Sequence, residues 1–219
     1  MPMEGVFNGI KLHYEVYGEG NPFILLHGNG EDISIFKTLI ESLKKDYQVY
    51  AIDSRSHGLS DTAPVHYDLM AEDIKSFIEE LGLIKPIIYG FSDGGIVGLT
   101  LASKYPQLVG TLISSGANVF PKGIKWFIRY FFIIENFFKP SPLLELMIKE
   151  PNLTAEELNK ITCPTLILTG SRDMIPIKHS EYIAKCVPNA TLKILKKETH
   201  GSYVINSEKL YPIIKSYLN

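Results

Sequence analysis

A series of short apolar runs, each closed by glycine or a polar residue and separated by helical patterns, constrains this fold most strongly. The runs are "PFILLHG" (22–28), "QVYAID" (48–53), "PIIYG" (86–90), "LVGTLISS" (108–115), "PTLILTG" (164–170) and "ATLKIL" (190–195). Most are too apolar for a strand with one wet face and too short for a buried helix. They read as parallel strands covered on both faces. Between them, Met70, Ile74, Phe77, Ile78 and Leu81 of "YDLMAEDIKSFIEELGL" (67–83) share one helical face, with Gly82 as the stop. The patterns at 34–45, 95–106, 179–188 and 206–218 are weaker but similar, and Pro212 marks a kink or a helix start in the last. This alternation predicts an α/β sheet with right-handed crossovers. Ahead of it, "GVFNGIKLHYEVYGEG" (5–20) reads as a hairpin turning at Asn8-Gly9.

The alternation lapses once. No strand signal appears from Ala117 to Lys160, "IKWFIRYFFIIENFF" (124–138) is densely aromatic, and Pro140, Pro142 and Pro151 punctuate the remainder. Residues 117–160 are therefore expected to form a short helical lid, inserted between core segments 1–116 and 161–219.

Composition narrows the classes of function. At 219 residues, 45% hydrophobic and 21% charged, the chain can bury one sizeable core. A net charge of −2 creates no global field toward nucleic acid or acidic lipid. Cys163 and Cys186 lack C-x-x-C spacing, and "MPMEGVFNGI" lacks the basic and apolar regions of a leader, so a reducing cytoplasm is expected. No apolar run approaches the roughly 18 residues of a membrane span. There is no H-E-x-x-H, and "GNGEDI" (28–33) carries Ile33 where a dinucleotide loop needs glycine. Neither a metal nor another cofactor is expected.

The chemistry concentrates at "IIYGFSDGGIVG" (87–98), where an apolar strand ends, Ser92 stands between glycines, and a helix begins. Such an elbow projects the hydroxyl beyond the carboxyl ends of the strands and into reach of a helix N-terminus. A serine hydroxyl needs a base, and a histidine base needs an orienting acid. Asp173 in "LTGSRDMIP" and His200 in "KKETHGSY" each follow an apolar strand, so all three can meet at one sheet edge. Asp173 has a structural alternative as a helix cap. The glycines of "LLHGNGED" (25–32) can turn backbone N–H groups inward, so Asn29 (or Gly30) and Asp93 are the candidate oxyanion-hole donors. Asp93 could also favour a substrate ammonium, or simply act as a charge in the first helical turn. His27 and His57 read as structural, and His13, His66 and His179 carry no catalytic signal.

At these residues the sequence resembles the α/β-hydrolase family over essentially its whole length. The matching stretches are "LLHGNG", "IDSRSHGLSD", "YGFSDGG", "PTLILTGSRDMIP" and "THGSY". The serine–acid–histidine order is that of this family. The resemblance implies an eight-stranded, mostly parallel sheet with helices on both faces and a lid after the sixth strand. Two departures are visible: Ser56 occupies a position where the family usually has glycine, and the lid is abbreviated.

The implied activity is that of a serine hydrolase, foremost a carboxylesterase cleaving small acyl esters through an acyl-enzyme. Amino-acid esters, thioesters, lactones and carbon–carbon bonds use the same triad, as would a slow-turnover ligand-binding signalling protein. Trp126, Phe127, Tyr130, Phe131 and Ile134 are expected to line an apolar substrate pocket over Ser92, with part of the helix packing on the sheet. Lys122, Lys125, Arg129 and Lys139 against Glu135 leave a charge of +3 there, which makes membrane contact conceivable but not favoured.

Overall fold

Residues 2–219 are described by a computed structural model, beginning with the expected hairpin. Strands β1 (Pro2–Phe7) and β2 (Ile10–Tyr17) pair antiparallel across Asn8 and Gly9, which have φ of 49° and 77°. Positive φ at both central residues gives a turn whose twist suits a hairpin. Asn8 also anchors the turn, donating from Nδ2 to Asp73 Oδ1 at 2.9 Å.

Beyond the hairpin, strands and helices alternate: β3 (Asn21–Leu26), α1 (Lys37–Leu43), β4 (Tyr47–Ile52), α2 (Tyr67–Glu80), β5 (Ile87–Phe91), α3 (Asp93–Lys104) and β6 (Thr111–Ser115). Three helices follow, α4 (Trp126–Phe138), α5 (Pro142–Lys149) and α6 (Ala155–Leu158), before β7 (Thr165–Gly170), α7 (Ile177–Cys186), β8 (Ala190–Leu195) and α8 (Leu210–Leu218). Pro212 lies in the first turn of α8, where its missing N–H costs no helical hydrogen bond.

The eight strands form one sheet in the order β1-β2-β4-β3-β5-β6-β7-β8, with β1 and β2 antiparallel to their neighbours and the other adjacent pairs parallel. Side chains alternate across it, as a period of two requires. In β3, Ile24 and Leu26 join one core layer with residues of α2 and α3, while Phe23 and Leu25 join the opposite layer with α1 and α8. Strands apolar on both faces read as continuous runs for this reason. The parallel register brings the carboxyl ends of β5, β7 and β8 to one edge, with β6 between β5 and β7.

Ser56 accounts for its departure from the family pattern. It adopts φ 61°, a region glycine enters more easily, and its Oγ bonds both the carbonyl and the N–H of Ala63, at 2.7 and 3.0 Å. These bonds hold the turn without the glycine.

Candidate active site

The elbow is built by close backbone approach. A Cβ on Gly90 would lie 2.1 Å from the Gly94 carbonyl oxygen, and one on Gly94 would lie 2.2 Å from that of Leu26. Both positions therefore exclude any side chain. Between them Ser92 sits at φ 52° and ψ −114°, a conformation that costs about 1–3 kcal/mol. Its N–H donates to the Ser115 carbonyl at 2.7 Å, tying the strained residue to β6.

The loops after β7 and β8 bring Asp173 and His200 to this serine. His200 Nε2 is 3.0 Å from Ser92 Oγ, and His200 Nδ1 is 2.7 Å from Asp173 Oδ1. With the carboxylate accepting from Nδ1–H, Nε2 is left to accept from the serine hydroxyl. Asp173 is buried and its Oδ1 also accepts from the Ile175 N–H at 3.0 Å, while the His200 side chain keeps 18% exposure toward solvent. The imidazole is confined by the Phe91 ring, centroid to centroid 4.9 Å, and by Gly116. Gly116 has φ 63°, and a Cβ there would lie 2.9 Å from His200 Cε1. Sequence reasoning missed Gly116, although a glycine directly after a strand at the active edge is a usable signal.

The loop after β3 passes against the serine, since a Cβ on Gly28 would come within 3.1 Å of Ser92 Cβ. Among the described residues, the backbone N–H groups of Asn29 and Asp93 have no acceptor, which leaves both able to donate to a substrate oxygen. The loop is held from both sides. His27 accepts from the Ser54 N–H at Nε2, so its Nδ1–H donates to the Gly28 carbonyl at 2.8 Å. Burial pulls the His27 pKa down to about 4, so the ring stays neutral near neutral pH. Opposite it, Glu31 Oε2 accepts from the Gly28 N–H at 2.9 Å. Burial raises the Glu31 pKa, against the opposing pull of that hydrogen bond and of nearby His200. The sequence reading did not single out Glu31.

The side chains of Asn29 and Asp93 have other partners. Asn29 Nδ2 donates to Asp93 Oδ2 at 2.9 Å and to the Leu143 carbonyl of α5 at 3.2 Å. Asp93 is buried, and its Oδ1 accepts from Tyr67 O–H at 2.8 Å. Burial raises the carboxyl pKa, while these two hydrogen bonds oppose the shift. Both carboxylate oxygens are thus occupied from within the protein.

The aromatic helix sits differently from expectation. No residue of α4 is buried, and the face expected over Ser92 points outward: Trp126 is 79% exposed, Phe127 53%, Tyr130 60%, Phe131 61% and Ile134 39%. The half-buried side carries Ile128, Arg129, Phe132 and Asn136. Arg129 Nη2 donates to the Ile148 carbonyl of α5 at 3.4 Å, so α4 rests on α5 rather than on the sheet. A cavity of about 540 Å³ lies between β2 and α1, and its lining includes none of Ser92, Asp173 and His200. Among the described residues no group of side chains could hold a metal ion, and no helix is long and apolar enough to cross a membrane.

A family model of the alpha/beta hydrolase fold matches residues 21–140. Together with the eight-stranded sheet and the serine elbow, this makes the chain a member of the α/β-hydrolase family, a hydrolase by class. It is similar to serine hydrolase BPHL of Homo sapiens, at 26% identity over 96% of this chain and 84% of that protein. It is also similar to the putative carbamate hydrolase RutD of Stutzerimonas stutzeri (strain A1501), at 25% identity over 94% of this chain and 96% of that one. Among solved structures, the esterase EaEST from Exiguobacterium antarcticum superposes with a TM-score of 0.87 at 21% identity, over 100% of this chain and 99% of that one. At these identities, the structural likeness speaks to the fold alone.

Proposed function

We propose that the protein is a cytoplasmic serine esterase that cleaves small acyl esters through an acyl-enzyme. The observation that carries this reading is the continuous hydrogen-bonded chain from Ser92 Oγ through His200 to Asp173. In the proposed cycle Ser92 Oγ attacks the acyl carbon as His200 Nε2 takes its proton, a base contribution of about 10²–10⁴ in rate. Asp173 orients the ring and stabilises it when charged. The carbonyl oxygen becomes an alkoxide held by the N–H groups of Asn29 and Asp93, each worth about 10²–10³. His200 then returns the proton to the leaving alcohol, and water repeats the sequence to release the acid. The chemistry draws only on side chains and backbone of this chain, with no cofactor.

The arrangement of Asp93 argues against selection for amino-acyl groups. Its carboxylate is buried and accepts from Tyr67 and Asn29, so a substrate ammonium would have to displace both donors. A panel of acyl and amino-acyl esters of one alcohol, with a matching thioester and lactone, tests the reading. Neutral esters should show a burst followed by steady turnover, and amino-acyl esters should fall within about tenfold of them in kcat/KM. Turnover confined to the lactone, or selective for amino-acyl esters, would contradict it.

A further inference from the structure

Helix α4 presents an apolar face that none of the described residues covers. At 100° per residue, the side chains from Ile133 and Trp126 through Phe137 and Tyr130 to Phe138 and Phe131 sweep a continuous arc of about 160°. Phe137 and Phe138 are 79% and 76% exposed, as open as any large apolar residue on the surface apart from Ile84 and Trp126. Isolated apolar side chains on a surface are ordinary, but a contiguous aromatic stripe along three turns marks a contact surface. The helix stands on α5, so the stripe is convex and offers no groove to a peptide.

Charge around the stripe selects the occupant. Lys122 and Lys125 precede the helix and Lys139 follows it, with Glu135 the only acidic residue between them. Arg129 is turned inward to α5, and Glu145 pairs with Lys149, so neither alters the balance at the rim. Cations therefore outnumber acids in the segment that carries the stripe, in a chain whose net charge is −2, and they suit the polar side and ends of a helix lying on a surface. A second copy docked by a twofold axis through the stripe would bring two lysine groups together. An anionic lipid surface would instead neutralise the lysines while the aromatic face enters the boundary between headgroups and acyl chains. Trp126 and Tyr130 are suited to that depth, each combining an apolar ring with a polar N–H or O–H.

We propose that α4 is an interfacial helix that docks the protein, axis parallel to the surface, on membranes bearing anionic headgroups. This inference is independent of the esterase reading.

Trp126 is the only tryptophan and lies within the stripe, so its emission reports docking directly. The protein is titrated with phosphatidylcholine vesicles, with and without phosphatidylglycerol, and flotation is measured in parallel. Phosphatidylglycerol vesicles should shift Trp126 emission to the blue and bind at least about tenfold more tightly than phosphatidylcholine alone, and added salt should weaken the binding. Phe137→Asp and, separately, Lys122→Glu with Lys139→Glu should each weaken it by about tenfold or more, with unchanged circular dichroism and melting. The lysine pair carries the test if Phe137→Asp fails to fold. Absence of binding, or equal binding to both vesicles, would overturn the proposal. So would a concentration-dependent dimer that Phe137→Asp dissolves and that competes with vesicles, because a second copy would then be the occupant.

Discussion

Gly116 limits the space around the His200 ring at Cε1, between its two hydrogen bonds. It follows β6 with φ 63°, and a methyl group there would sit 2.9 Å from the imidazole. The Gly116→Ala variant should fold with a small loss of stability from the strained φ, while kcat falls by about 10²-fold because the proposed base is displaced from Ser92. Kinetics and a thermal melt on the same preparation check this. Near-normal kcat would mean that His200 has room to move and still act. Gly116 and Tyr67 were not singled out in the sequence because each acts on a partner distant in the chain, and Glu31 because its bond to the Gly28 N–H, three residues back, follows no residue pattern. Ser92, Asp173 and His200 were legible because each stands at the end of its own apolar run, a local pattern. Ser56 shows the limit of comparing residue types, since serine adopts φ 61° there with Ala63 as its partner.

Among the elements, α5 is tied to the site at both ends while α4 is tied only to its neighbours. Near its start the Leu143 carbonyl accepts from Asn29, and just past its end Glu150 accepts from the Tyr67 N–H and bonds His66 Nδ1. Asn29 thus links the loop after β3, the elbow and α5 through its side chain, while its backbone N–H has no acceptor among the described residues. Asn29→Ala should lose about 1–3 kcal/mol in urea unfolding, because a buried Asp93 oxygen is left without its donor. Its kcat/KM should stay within about tenfold. A hundredfold loss at unchanged stability would instead make the side-chain amide an oxyanion donor. The α4 sequence made a helix legible but not its orientation. Apolar residues surround most of its circumference, so periodicity could not decide which side meets the protein. The inner side carries the half-buried Ile128 and Phe132 and the Arg129 bond to Ile148 of α5.

At the scale of the whole molecule, the site exists because parallel strands end together. Ser92 follows β5, Asp173 follows β7 and His200 follows β8, so residues far apart in sequence meet at one edge of the sheet. The order of apolar runs made this convergence readable, since parallel strands in an open sheet place their carboxyl ends on one side. The alternation of the two core layers was less readable, because strands buried on both faces show no polar–apolar period. The central claim is that this convergence makes Ser92 a nucleophile. Intact-protein mass after treatment with a fluorophosphonate, followed by peptide mapping, tests it most directly. One adduct per chain on Ser92, abolished in Ser92→Ala and strongly slowed in Asp173→Asn, is the predicted result. An adduct on another residue, or labelling that persists in Ser92→Ala, would contradict it.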